Sequence, residues 1–535
     1  MKFGEAVCQR LVERGVDTVF GIPGVHTLEL FRGADTHGLR TIVPRHEQGA
    51  GFMADGYVRT TGKPGVCFLV TGPGVLNALT PVAQAWHDSQ PMLVIGSTVA
   101  SDQVGKHRGV LHDTPDVADT LRPYCLLSRN ISTIDELDQA LAEAFEGWAT
   151  SRPRPVYLGI PIDVLESEVG ELPPLAVVET APKAPSPAGL DRAIRELESA
   201  TAPVIIAGGG ARHAAEAVVQ LAEQLDAPLL STANSKAIIA PDHPLALGLS
   251  APFAGTYDLL ASADAVLAIG TELSEVDFIF TGVDPAPLHG VIRVDVDPTA
   301  THPDQRDPAI VSDAAAFADA MLERLGDRRF ERGGAQRVET ALRSLEEARA
   351  ADPYREWVAA LETGIPANAL IAADSAQLAY QAHQFLALPE GAEWLSPYGF
   401  GTLGPAIPMA VGAAVGNPDR PVIALAGDGS SLFTIPELAT AADLGRQLTV
   451  VLWLNSGYME IESSFERADI TPVGVATSAP DFAAIASGLG ARVETVTTPA
   501  DFTAVLHTAV EAPELTVILI TAPADLHVSP DSRDR

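Results

Sequence analysis

Two short segments carry residue types that can hold a metal and a phosphate together. Ala426-Gly427-Asp428-Gly429-Ser430 follows the apolar run Val422 to Ala426, and Asn455-Ser456-Gly457-Tyr458 follows a second run, Thr449 to Leu454. Apolar strands that end in glycine-bearing turns present those turns at the carboxyl edge of a parallel sheet, where ligands bind. Asp428, the Asn455 side chain and a free carbonyl of the tight turn are hard oxygen donors, and glycines let backbone amides approach phosphate oxygens. That set suits Mg²⁺, which completes its octahedron by sharing ligands with a diphosphate. Gly-Asp-Gly alone is an ordinary β-turn; its pairing with Asn455 at the end of another strand is what points to a site.

A third segment, Arg45-His46-Glu47-Gln48-Gly49-Ala50-Gly51, opens an Ala/Gly-rich helix after the apolar stretch Thr41-Ile42-Val43. A carboxylate among small residues at a tightly packed helix start is partly desolvated, which raises its pKa and suits proton exchange with a ring nitrogen. The alternative is a capping carboxylate paired with Arg45 or His46.

These segments must be held by a scaffold, and the rest of the chain describes one. Short β-branched runs alternate with helical stretches, the pattern of an α/β protein with three consecutive doubly wound parallel-sheet domains. In the first unit, Thr18 to Phe20 leads into Gly21-Ile22-Pro23-Gly24, and Val66 to Val70 leads into Thr71-Gly72-Pro73-Gly74. The divisions predicted are a first domain at 1–165, a Pro-rich linker at 166–187, a central domain at 188–330, a charged helical linker at 331–353, a third domain at 354–525 and a frayed polar tail at 526–535. The chain has 35 basic against 69 acidic side chains, a net charge of −34. That balance excludes a general nucleic-acid binder and disfavours anionic membranes. Three scattered cysteines, Cys8, Cys67 and Cys125, suit a reducing compartment, and no apolar run is long enough to span a bilayer. The expectation is a soluble cytoplasmic protein without nucleic-acid or membrane partners.

The whole chain resembles the thiamine diphosphate (ThDP) enzymes of the acetohydroxyacid synthase and 2-oxo acid decarboxylase superfamily. Gly427-Asp428-Gly429 with Asn455 is similar to that family's ThDP–metal motif, Arg45 to Ala50 to its catalytic glutamate segment, and Thr71 to Gly74 to its pyrimidine-side loop. The resemblance implies a pyrimidine-binding first domain and a diphosphate- and Mg²⁺-binding third domain. It implies a homodimer with active sites at the interface, a homotetramer being common in the family. Glu47 is then the catalytic carboxylate on the aminopyrimidine ring, and Leu403 the bulky residue that bends the cofactor. The cofactor contacts implied are Pro23, Glu47, Thr71, Gly72, Asn77, Thr402, Leu403, Gly427, Asp428, Gly429, Ser430, Asn455, Gly457, Tyr458 and Met459, with Asp428, Asn455 and Gly457 on the metal. Two departures stand out. Leu454 precedes Asn455 where the family has Asn-Asn, which spares the metal ligand, and Pro405 stands at a helix start where another residue type is common.

The features of true acetohydroxyacid synthases, an aromatic–Gln pair in one loop and Met-Val-Arg-Gln-Trp in another, do not occur here. The corresponding loops, Gly109 to Asp116 and Gly457 to Glu462, together with Gly21 to Leu30, resemble the 5-guanidino-2-oxopentanoate decarboxylase branch. A non-oxidative decarboxylase must deliver a proton to the carbon that CO₂ leaves. His26 and His112 are candidate donors, with structural histidines the equal alternative. Val25, His112, Asp113, Glu460 and Glu462 are candidate substrate contacts, the carboxylates as receivers of a cationic tail. Gln84 and His87 either line the site or pack nearby. Gly208-Gly209-Gly210 could approach a dinucleotide, but tight strand–helix packing explains it equally well, and no flavin (FAD) is expected. The functions weighed are a 2-oxo acid decarboxylase, an acetolactate synthase-like carboligase, and a non-catalytic ThDP-binding paralogue.

Overall fold

Near-continuous apolar runs such as Val422 to Ala426 can be buried on both faces only if helices cover both sides of their sheet, and this arrangement recurs three times along the chain. The computed structural model describes residues 1–175, 181–278, 287–301, 307–523 and 526. The first sheet comprises β1 (Thr18–Gly21), β2 (Arg40–Ile42), β3 (Gly65–Leu69), β4 (Met92–Thr98), β5 (Leu127–Asn130) and β6 (Val156–Pro161), in the order β2-β1-β3-β4-β6-β5. The second comprises β7 (Pro203–Ala207), β8 (Leu229–Ser231), β9 (Ala246–Gly248), β10 (Ala265–Ile269), β11 (Val291–Asp295) and β12 (Ile310–Val311), ordered β12-β11-β10-β7-β8-β9. The third comprises β13 (Leu370–Ala373), β14 (Glu393–Leu395), β15 (Val422–Gly427), β16 (Leu448–Leu454), β17 (Arg492–Val496) and β18 (Leu515–Thr521), ordered β14-β13-β15-β16-β18-β17. Every strand pair is parallel.

Six of these strands, β5, β9, β12, β13, β14 and β17, were not predicted. Most are short edge strands, and β17 is half solvated, with Arg492 and Glu494 pairing along it. The stretch expected as a helical linker is mostly the helix Gly334–Ala351, which packs on Ala254–Ala261 so closely that a Cβ on Gly255 would lie 2.3 Å from the Ala341 carbonyl. Of the expected tail, 527–535 lie outside the described residues. Leu526 is buried, and its carbonyl accepts the Tyr354 hydroxyl at 3.1 Å.

The first and third sheets share one apolar core, because the helix Glu47–Thr61 crosses the helix Ala406–Gly416 backbone against backbone. A Cβ on Gly56 would sit 2.1 Å from the Met409 carbonyl oxygen, and one on Gly412 1.9 Å from that of Met53. Only glycine permits this approach. Phe52, Met53 and Tyr57 then pack into a single cluster with Ile407, Met409 and Val411.

Candidate active site

The adjacent strands β13, β15 and β16 end side by side, and their carboxyl-end turns converge. Asp428 follows β15 and is 3% exposed. Its carboxylate accepts backbone N–H groups from Gly429 (2.8 Å), Asn455 (3.1 Å) and Ser456 (2.5 Å), which ties the β15 turn to the β16 turn. Burial pushes its pKa up, against the lowering effect of those amides. Ser430 closes the turn by accepting the Gly427 N–H at 3.1 Å. Gly429 lies under the Tyr458 ring, where a Cβ would come within 2.8 Å of a ring carbon, and the Tyr458 N–H donates to Val475 at 2.9 Å.

The Asn455 amide defines the centre. One end of it meets Gln377 Oε1 at 3.0 Å, and the other meets Asp428 Oδ1 at 3.0 Å and the Gly457 carbonyl at 2.9 Å. With its nitrogen on the Gln377 side, its oxygen joins Asp428 and Gly457 in a set that could share a cation; with its nitrogen inward, it donates to both. The donors are one carboxylate, one amide and one carbonyl, hard oxygen ligands; among the described residues no group of three His, Cys, Asp or Glu side chains could hold a metal.

Leu403 is half-buried in the turn that precedes the helix Ala406–Gly416. Asp374, just after β13, accepts the Gly404 N–H at 3.1 Å and caps that helix, and burial pushes its pKa up to about 6. Pro405, at the helix start, has no N–H to satisfy there, so this departure from the family pattern is accommodated. Thr402 lies beside Leu403, and Met459 opens the helix Met459–Arg467. On that helix Glu460 is already paired with Arg467 at 3.2 Å, while Glu462 is half-buried.

The remaining predicted residues gather at the carboxyl edge of the first sheet. Glu47 opens the helix Glu47–Thr61 and accepts from Asn77 Nδ2 at 3.0 Å. It pairs with neither neighbour: Arg45 binds Asp443 at 2.5 Å, and His46 Nδ1 accepts the Gln48 N–H. The turn after β3 separates Glu47 from the histidines. A Cβ on Gly74 would lie 3.5 Å from Glu47 Oε1, and one on Gly72, where φ is +68°, would lie 2.9 Å from the His112 carbonyl. Thr71 is buried and donates its N–H to Ser97 at 3.1 Å. His26 and His112 meet edge to face, ring centroids 5.4 Å apart, and His112 itself is held at φ +64°. His26 Nδ1 and Asp113 Oδ1 are buried without partners among the described residues. Burial, then the neighbouring His112, lower the His26 pKa against the opposing Glu166. Pro23 and Val25 are exposed beside them.

Gln84 and His87 pack away from this cluster: Gln84 is buried against Asp88, and His87 stacks on Phe400 with centroids 4.9 Å apart. Gly208 and Gly210 serve close packing, since a Cβ on Gly208 would lie 2.3 Å from the Gly270 carbonyl. Gly209 and Gly210 border a cavity of about 830 Å³ whose walls are joined by Arg152 to Glu272 and Asp295, both at 2.7 Å.

Three residues with evident positioning roles escaped the sequence reading: Asp374, Gln377 and Glu437. The Glu437 carboxylate, 1% exposed, accepts the backbone N–H groups of Arg45 and His46 at 3.0 Å each, so the third domain sets the start of the Glu47 helix. Among the described residues no hydrogen bond or ion pair joins Glu47, His26 or His112 to Asp428, Asn455 or Gly457. The first-sheet and third-sheet residues stand as two clusters.

Comparison with known proteins places both clusters in domains of one family. Residues 1–120 match the N-terminal TPP binding domain of thiamine pyrophosphate enzymes, 190–321 their central domain and 374–520 their C-terminal TPP binding domain. The chain is 41% identical to the probable 2-ketoarginine decarboxylase AruI of Pseudomonas aeruginosa, over 92% of this chain and 88% of that protein. It is 29% identical to the acetolactate synthase isozyme 1 large subunit of Escherichia coli (99% and 94% covered). It is 30% identical to the acetolactate synthase large subunit of Corynebacterium glutamicum (92% and 82% covered). With three matching domains on three parallel sheets and a decarboxylase relative along almost its whole length, the chain belongs to the thiamine pyrophosphate enzyme family.

Proposed function

We propose that this chain is a ThDP- and Mg²⁺-dependent decarboxylase of a 2-oxo acid with a cationic tail, 5-guanidino-2-oxopentanoate (2-ketoarginine) or a close analogue. The observation that carries this reading is the 41% identity to the probable 2-ketoarginine decarboxylase, against 29% and 30% for the two acetolactate synthases.

ThDP, when bound, supplies a nucleophilic carbon for the oxo group and an electron sink for the pair released with CO₂. The chain's own residues do the rest. Glu47, oriented by Asn77, holds and returns a proton at the aminopyrimidine nitrogen. Leu403 would pack against the cofactor, and the Gly427–Ser430 turn would receive its diphosphate. Asp428, Asn455 and Gly457 hold the metal. One carboxylate, one amide oxygen and one backbone carbonyl, completed by diphosphate oxygens and water, would suit Mg²⁺, which is bound through few protein ligands and shared phosphates.

His26 or His112 delivers a proton to the product carbon. Asp113 carries a buried oxygen without a partner among the described residues. Such an oxygen is costly, and a guanidinium satisfies it through a charge-assisted hydrogen bond. Glu460 is engaged by Arg467, which leaves Asp113 and Glu462 to receive the tail.

The two clusters, read as half-sites, support a homodimer in which Glu47 of one copy faces the metal residues of the other. Exposed apolar side chains flank both halves, Val25 (69%) and Leu111 (65%) on one and Phe433 (51%) and Val473 (75%) on the other. A soluble cytoplasmic homodimer or homotetramer is the assembly proposed. Among the described residues no helix is long and apolar enough to cross a membrane.

The test is CO₂ and aldehyde release from a panel of 2-oxo acids, with ThDP and Mg²⁺ supplied. 5-Guanidino-2-oxopentanoate is expected to turn over fastest, and Asp113→Asn to raise its KM far more than that of an uncharged analogue. Failure to decarboxylate any member overturns the proposal. Likeness to the E. coli acetolactate synthase subunit over 99% of the chain favours a second reading, a carboligase. Acetolactate formation from pyruvate as the dominant activity would establish it.

A further inference from the structure

Resting on the metal reading above, we infer that Gln377 is the positioning residue that decides which end of the Asn455 amide faces the metal. A primary amide is nearly symmetric in shape, so packing cannot tell its oxygen from its nitrogen; only hydrogen-bond partners can. Asn455 has partners at both ends. On one side lie Asp428 Oδ1 and the Gly457 carbonyl, 3.0 and 2.9 Å away, both acceptors. Left to these two, the amide turns its nitrogen inward, donates to both, and presents N–H groups where a cation belongs. On the other side lies Gln377 Oε1 at 3.0 Å, which accepts from Asn455 only when the amide oxygen points inward.

Gln377 holds this bias while its oxygen takes the Tyr354 hydroxyl. The Tyr354 hydroxyl donates to the same Gln377 oxygen at 2.9 Å and also lies 3.1 Å from the Leu526 carbonyl. The relay therefore has two self-consistent states. With the hydroxyl turned to Gln377, the glutamine oxygen takes two donors and Asn455 offers its oxygen to the metal. With the hydroxyl turned to Leu526, both amides reverse: Gln377 donates to Asn455 and to Tyr354, and Asn455 seals Asp428 and Gly457 with its own N–H groups. Metal loading is thus coupled to reversal of two amides and one hydroxyl, and no backbone movement is needed. Gln377 reaches this place because β13 and β15 are neighbours and it opens the helix Gln377–Phe385 just beyond the end of β13.

The test measures Mn²⁺ affinity by electron paramagnetic resonance of the free ion, at saturating ThDP, for the full-length protein. Gln377→Met keeps the shape and removes both polar ends; it should weaken Mn²⁺ binding at least about tenfold, the consequence of one buried hydrogen bond left unmade. Gln377→Glu keeps only acceptors at that end and should bind Mn²⁺ at least as tightly as the wild type. A packing role predicts that both variants behave alike. Asp428→Asn, which strikes the metal site directly, separates the two layers of the argument. If it abolishes Mn²⁺ binding while Gln377→Met leaves affinity unchanged, the positioning inference is wrong. If it binds Mn²⁺ like the wild type, the metal reading itself is wrong.

Discussion

Replacing Glu437 with alanine should loosen the start of the Glu47 helix without touching Glu47. The wild-type carboxylate accepts the Arg45 N–H at 3.0 and 3.1 Å, the His46 N–H at 3.0 Å and the Thr440 hydroxyl at 2.6 Å. Gly49 leaves room for it, since a Cβ there would lie 2.2 Å from Glu437 Oε1. Alanine strands two backbone donors at a helix terminus, each worth about 1–3 kcal/mol when left unmade. Relief of the buried charge offsets part of this, because burial already pushes the Glu437 pKa up. The net expectation is a local loss of about 2–4 kcal/mol, or roughly 30- to 1000-fold faster amide exchange at Arg45 and His46. Hydrogen–deuterium exchange on a peptide spanning residues 44–53 reads this directly, and kcat should fall with it. Glu437→Gln retains one acceptor oxygen and should lie between the two. Unchanged protection of 45–46 in the alanine variant would refute the claim that Glu437 organises this helix start.

Three other expectations follow from the same geometry. Glu47→Gln should bind ThDP nearly as the wild type does, by fluorescence titration, yet lose at least about a hundredfold in kcat, in line with removal of a positioned proton-transfer group; unchanged turnover would exclude Glu47 from the chemistry. Co-expressed Glu47→Gln and Asn455→Ala chains, each inactive alone, should recover about a quarter of wild-type activity if sites form between chains, since half the dimers are mixed and each has one intact site; no recovery would place each site within one chain. Asp374 has a pKa of about 6 in the folded protein, above an unfolded value of about 3.9. The folded state then binds the proton more tightly, so stability present below about pH 4 is lost as pH rises through about 6, by roughly 2–3 kcal/mol. Asp374→Asn should flatten that slope in chemical denaturation of the third domain, and an unaltered slope would assign the titration elsewhere.

The parts of the site that could be read from the sequence are those whose chemistry is local. Asp428, Asn455 and Glu47 each follow an apolar run and stand in a turn or helix start that marks them. Asp374 and Gln377 were hidden because β13, Leu-Ile-Ala-Ala, is four residues long in an alanine-rich stretch that reads equally well as helix. Once that strand is missed, nothing signals that the residues after it reach the same sheet edge as Asp428. Glu437 was invisible for another reason. Its partners Arg45 and His46 lie almost four hundred positions away in the chain, and no spacing rule covers a contact made by folding two sheets together. The His26–His112 pair was half legible: each histidine was singled out, but their meeting edge to face depends on the turn at Gly72.

The glycine crossing between Glu47–Thr61 and Ala406–Gly416 has a consequence for how this protein can be taken apart. With carbonyls seated where side chains would stand, the two outer domains share one interior, and neither could be produced alone without exposing Met53, Tyr57, Met409 and Val411 to water. The middle domain keeps two apolar clusters around its own sheet and reaches the third domain's cluster through Phe253. The outer two must be inherited, expressed and redesigned as a pair.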